Sequence, residues 1–145
     1  MLPAARRGIK DTSAYNAGMG EPERAFVLLR HQTSEGVHWD LMLDTGPSLA
    51  TWQLDEDPSA QLGKPDAEGI TARPLPEHRR DYLEYEGPVS RNRGDVARAD
   101  RGTYTSLAKE AAAWTFTLAG QRLSGRFRLS ADQSEAAEWR FQRLA

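Results

Sequence analysis

The chain has 145 residues, no cysteine, a net charge of −2 and a hydrophobic content of 39%. That length suits one domain, able to bury about two-thirds of the surface its unfolded chain exposes. The lack of cysteine excludes disulfides and thiolate metal sites and fits a reducing compartment, while the near-neutral charge excludes a generic nucleic-acid coat, which is strongly basic.

Residues 1–24 mix Pro, Gly, Ser, Asn and charge without an apolar period, so a flexible N-terminal arm is expected, followed by one domain over 25–145. The start, Met1-Leu2-Pro3-Ala4-Ala5-Arg6-Arg7, leads into no apolar core of a signal peptide, and no later stretch reaches membrane-spanning length. The expectation is a cytoplasmic protein without membrane contact, most simply a monomer.

The first apolar run, Phe26 to Leu29, ends in Arg30-His31. After a short turn comes His38-Trp39-Asp40-Leu41-Met42-Leu43, which has the period of a half-buried strand. Side chains alternate across a strand, so His38 and Asp40 share one face and Trp39, Leu41 and Leu43 the other. Two imidazoles and a carboxylate on adjacent strands of a hairpin can supply three ligands to a divalent cation and leave coordination positions open, as a catalytic site requires. Three histidines are an ordinary number for such a chain, and spacing alone leaves a surface or core role equally open.

Asp44-Thr45-Gly46-Pro47-Ser48 reads as a turn, Leu49 to Leu54 as a strand, and Asp55 to Asp66 lies in a long loop. His78-Arg79-Arg80-Asp81-Tyr82 places His78 and Tyr82 on one side, and Asp81 to Glu86 alternates with the period of a strand. Ser90 to Asp100 is polar, basic and glycine-bearing, the signature of a loop over a site. Arg79, Arg80, Arg91 and Arg93 belong to a middle third crowded with arginine and are candidate substrate contacts. Ser106 to Ala113 favours a short helix. Trp114 to Leu118 and Leu123 to Leu129 form a hairpin, and Glu138 to Leu144 a last strand. This spacing of short strands predicts an all-β fold, a small antiparallel barrel with only a short helix. No phosphate loop and no nucleophile elbow is present.

From Phe26 to Leu144 the chain resembles the 3′-phosphoesterase domain of bacterial DNA ligase D, which also occurs as a free-standing protein. The resemblance rests on the run ending in His31, then His38-Trp39-Asp40-Leu41, Trp52, His78-Arg79-Arg80-Asp81-Tyr82, Tyr85-Glu86-Gly87, Asp100-Arg101-Gly102-Thr103-Tyr104 and Leu123-Ser124-Gly125-Arg126-Phe127. It implies a small β-barrel with a crescent-shaped site. His31, His38 and Asp40 would be metal ligands, with Mn²⁺ the preferred ion, and His78 and Tyr82 would act on the phosphate as catalytic residues. The implied activity removes a terminal ribonucleoside and then the 3′-phosphate from nucleic-acid 3′ ends during DNA repair, beside ligase and polymerase proteins.

The chain departs from the family pattern at phosphate-binding positions. Met42 stands where relatives carry arginine, Leu29 where they carry glutamine, and Glu56 or Asp57 where they carry lysine; the 32–37 turn is one residue longer and lacks an arginine. Phosphoryl transfer relies on positioning and charge neutralisation, for which bidentate arginine is the best side chain. Two readings follow: a metal-dependent 3′-end phosphoesterase, or a catalytically degraded relative that binds metal or nucleic-acid ends.

Overall fold

The computed structural model describes residues 21–62 and 68–145. Most of the expected N-terminal arm and residues 63–67 of the long loop lie outside them, and Arg24 already belongs to the first strand.

Nine strands follow in chain order: β1 Arg24–Thr33, β2 Gly36–Asp44, β3 Leu49–Leu54, β4 Ile70–His78, β5 Gly87–Pro88, β6 Asp95–Glu110, β7 Ala113–Gly120, β8 Ser124–Ser130 and β9 Trp139–Arg143. All pairings are antiparallel, in the order β1-β2-β3-β4-β9-β8-β7-β6-β5. A further pairing of β1 with β6 closes eight of the strands into a ring and leaves β5 as a short extension. The helix α1, Pro58–Gln61, is a single turn capped by Asp57 and started by proline. Among the described residues no helix is long and apolar enough to cross a membrane.

Alternation sorts the side chains. Phe26, Leu28, Leu41, Leu43, Trp52, Leu54, Phe116, Leu118, Phe127, Leu129 and Phe141 point into the ring and form its core, with Trp39 packed half-buried at the margin. Deleting one of the fully buried rings, as in Phe116→Ala, costs about 3–5 kcal/mol. The opposite faces of β1, β2 and β3 carry a second, smaller cluster of Val27, Leu29, Met42 and Leu49, joined by Val96. Tyr82, Leu83 and Val89 lie over it. The candidate site is built on this outer face.

Two elements differ from the sequence-based expectation. Ser106 to Ala113 is not helical: β6 runs on to Glu110 and turns directly into β7. Trp114 anchors this hairpin through its ring N–H to the Ser106 hydroxyl, and Lys109 lies over its ring, so cross-strand packing overrides an alanine-rich helix propensity. Asp81 to Glu86 is not a strand either, because Arg80–Leu83 forms a 3₁₀ helix. Of the expected 90–100 loop, only Ser90 to Gly94 is loop, since β6 begins at Asp95.

Candidate metal and phosphate site

Sheet register brings the ligand candidates together. His31 on β1 faces His38 on β2, and Leu29 faces Asp40, which places Asp40 diagonally beside His31. The imidazole centroids are 4.6 Å apart. His31 Nδ1 lies 3.3 Å from Asp40 Oδ2, and His38 Nε2 lies 3.3 Å from Asp40 Oδ1. One ligand atom from each of the three falls within 4.8 Å of the others. His31 and His38 are partly open to solvent, whereas Asp40 is 4% exposed.

The polar contacts around this trio suit a bound cation. His31 Nε2 lies 2.6 Å from the Arg93 carbonyl, an acceptor, so Nε2 is the protonated nitrogen. In the neutral ring Nδ1 then presents a lone pair to a carboxylate oxygen, and two acceptors face each other. Asp40 Oδ1 is buried without a hydrogen-bond partner. A buried carboxylate oxygen without a donor is costly. A divalent cation between the two rings removes both problems at once. The donor set of two imidazole nitrogens and one carboxylate suits Zn²⁺, Mn²⁺ or Fe²⁺ better than a hard all-oxygen ion.

The Arg93 carbonyl is delivered by a tight loop. Arg91 and Asn92 take left-handed backbone conformations, φ 62° and 56°, and the Val89 N–H donates to the Gly94 carbonyl at 2.7 Å. A Cβ on Gly94, itself at φ 92°, would lie 1.9 Å from the Gln32 carbonyl oxygen, so only glycine lets the loop reach the end of β1.

His78 joins this face through an irregularity. Trp52 pairs with Pro74 and Thr51 with Leu75, but Leu49 pairs with His78, so β4 holds one extra residue opposite Ala50. Strict alternation from Ile70, Ala72 and Pro74 would aim His78 into the ring, and the bulge turns it outward. A second shift, between Leu28 and Leu29 against β6, turns Val96 to the same side. His78 Nδ1 donates to the Pro76 carbonyl at 2.9 Å, and its ring stands edge-on to Tyr82 at 5.6 Å.

These residues line one open cleft of about 360 Å³, in which His31, Asp40, His78, Arg79, Tyr82 and Arg93 surround an apolar floor of Met42 and Val96. The sequence-based candidates thus divide. His31, His38 and Asp40 converge, and His78 and Tyr82 lie in the cleft that begins at His31 and Asp40. Arg79 also lines the cleft. The Arg93 guanidinium donates to the Ser90 carbonyl and hydroxyl at 2.9 and 3.0 Å. Arg91 is exposed and lies outside the cleft lining.

Arg80 has a structural partner instead. It donates twice to Asp44, at 3.0 and 2.8 Å, and ties the 3₁₀ helix to the end of β2. Burial alone would raise the Asp44 carboxyl, but the Arg80 and Gly46 hydrogen bonds and the charges of Arg80 and Arg24 outweigh it and hold it below its usual value. Next to this clamp the Tyr104 hydroxyl donates to the Asp44 carbonyl at 2.6 Å, and burial pushes its pKa up to about 12.

Residues 29–131 match the DNA ligase D 3′-phosphoesterase domain. The chain belongs to that family. No curated protein matches it. Met42 and Leu29, the positions at which the resemblance implies arginine and glutamine, lie together in the structure. Leu29 and Met42 are diagonal neighbours on β1 and β2, both fully buried in the small outer cluster. They form an apolar pair at the two positions where the resemblance implies polar residues. The sequence carries no signal for the Arg93 carbonyl, because a backbone group has no residue type to betray it.

Proposed function

We propose that this protein is a divalent-metal-dependent phosphoesterase of nucleic-acid 3′ ends, removing a terminal ribonucleoside and the remaining 3′-phosphate in DNA repair. The observation that carries the reading is the buried, unpartnered Asp40 Oδ1 between two imidazoles, in a chain of this family. His31, His38 and Asp40 would hold the ion, Mn²⁺ in first place, and an ion there supplies Lewis-acid polarisation of a phosphoryl oxygen. The Arg93 carbonyl fixes the tautomer of His31 and aims Nδ1 at the ion position. His78, with Nδ1 committed to Pro76, offers Nε2 to the phosphate and, when that nitrogen is protonated, can pass the proton to a leaving alkoxide. Tyr82 donates a hydroxyl hydrogen bond without adding charge. Arg79 supplies the positive charge on the cleft wall that a phosphate needs.

A second reading is favoured by Leu29 and Met42. With an apolar floor in place of a bidentate clamp, the cleft would bind a metal and a nucleic-acid end but turn it over poorly, serving as a recognition module for repair ligase or polymerase partners. A gel assay separates the two, using DNA primers that end in 3′-phosphate or in one 3′-ribonucleotide, with Mn²⁺ or with chelator. The esterase reading expects Mn²⁺-dependent conversion of both ends to 3′-hydroxyl. Binding of the same primers without conversion selects the recognition module.

A further inference from the structure

A second cavity, of about 340 Å³, adjoins the phosphate cleft and shares Arg79, Tyr82 and Val89 with it. Its own walls add Asp81, Tyr85, Pro88 and Ser90. Three rings lead from one space to the other: His78 to Tyr82 at 5.6 Å and Tyr82 to Tyr85 at 5.7 Å, each edge-on to the next. Tyr85 is 37% exposed and belongs to neither apolar cluster.

Its orientation is nevertheless fixed. The Tyr85 hydroxyl donates to the Pro88 carbonyl, and Gly87 at φ 131° makes the tight turn between them. A Cβ on Gly87 would already touch that hydroxyl at 3.3 Å. Glu86 accepts the Arg98 N–H at 2.7 Å, and β5 pairs with β6, so the whole wall is held against the ring of strands. The Asp81 carboxylate has no partner among the described residues.

We propose that this cavity receives the base of the terminal nucleoside, the one that leaves, with Tyr85 as its stacking face. The inference rests on the phosphoesterase reading of the adjoining cleft. A scissile phosphate there is followed, one sugar away, by the leaving base, and the ring-lined cavity shares a wall with the cleft. The nucleoside on the other side of the phosphate continues into a strand and stays stacked in its duplex. A cavity at the small end of ligand sites, about 300–1,000 Å³, suits one nucleoside and no longer chain. Aromatic stacking accepts any base, because every base has a π-face. Asp81 can accept a hydrogen bond from an exocyclic amine and so favours adenine, guanine or cytosine over uracil.

Two measurements test the subsite on wild type, Tyr85→Ala and Tyr85→Phe. In the first, primers end in a ribonucleotide with its base or in an abasic ribose. Wild type should prefer the base-bearing end by about tenfold in kcat/KM, within the range of base–aromatic stacking. Tyr85→Ala should erase that ratio and Tyr85→Phe should keep it. In the second, titration calorimetry with Mn²⁺ present compares adenosine 5′-monophosphate, which carries phosphate and leaving nucleoside, with inorganic phosphate. The nucleotide should bind about tenfold tighter, and Tyr85→Ala should remove the difference. Equal binding of nucleotide and phosphate by wild type overturns the subsite, as does a Tyr85→Ala variant that retains the preference. Nucleotide preference without turnover of any primer keeps the subsite and sinks the esterase reading; turnover indifferent to the base does the reverse.

Discussion

Asp40 has one buried oxygen without a donor and imidazole nitrogens 3.3 Å from each of its two oxygens, so its carboxylate is the group the site can least lose. Asp40→Ala should weaken Mn²⁺ binding by more than about 100-fold, beyond the range seen for partners that only support a ligand. Calorimetry reads this directly, and His38→Ala should fall in the same class. Retained binding in either variant would place the ion elsewhere. At Met42 the structure changes what a reversion should do. On the sequence alone, Met42→Arg restores a phosphate contact, but Met42 is 1% exposed and packed with Leu29. The single substitution buries a guanidinium against leucine and should cost on the order of 2 kcal/mol in urea unfolding. Combined with Leu29→Gln, part of that cost should return as a coupling of about 0.5–3 kcal/mol. Any gain in 3′-phosphatase rate belongs to the double variant; additive stabilities would show that the two positions do not act together.

Loops and bulges set the geometry that single residues exploit. Gly94→Ala forces the 89–94 loop away from Gln32 and takes the Arg93 carbonyl off His31. Metal affinity should fall by about 10–100-fold with little loss of fold, read by calorimetry beside circular dichroism. The 3₁₀ helix behind His78 depends on Arg80 and Asp44. A carboxyl whose folded pKa lies below its ordinary 3.8 contributes stability above that value and loses it as pH falls through the folded one. The pH-dependent advantage of wild type over Asp44→Asn should therefore be full above pH 3.8 and shrink on further acidification, in urea titrations across that range. A constant difference would mean the ion pair contributes nothing there. Strand periodicity made the β1–β2 hairpin and the shared face of its candidate ligands legible in the sequence, because one uninterrupted register carries all three. The same rule aims His78 inward, and only the extra residue in β4 corrects it. Bulges leave no mark in residue type, and neither does the 3₁₀ helix, whose alternating residues mimic a strand.

At the scale of the molecule, β1 serves two neighbours: it carries His31 beside β2 and closes the ring against β6. Site and fold are therefore coupled through one strand. Gly102, opposite Phe26 of β1, also marks a close approach of β6 to β7, since a Cβ there would lie 2.1 Å from the Ala119 carbonyl oxygen. Gly102→Ala should spread β6 from β7 and destabilise by about 1–3 kcal/mol in denaturant unfolding. Asp100 reinforces the same corner by accepting the N–H groups of Gln121, Arg122 and Leu123, a structural role for its motif. Architecture was legible from strand spacing, whereas the helix expected at 106–113 was lost to long-range pairing that local propensity does not contain. The central claim is that His31, His38 and Asp40 hold a divalent ion that drives 3′-end hydrolysis. The most direct measurement is Mn²⁺ reconstitution of chelator-treated wild type and Asp40→Ala on a 3′-phosphate primer, scored by release of the 3′-hydroxyl product. The account predicts turnover that rises with Mn²⁺ in wild type and stays at background in Asp40→Ala. Equal turnover in the two proteins, or wild-type turnover unaffected by chelation, would contradict it.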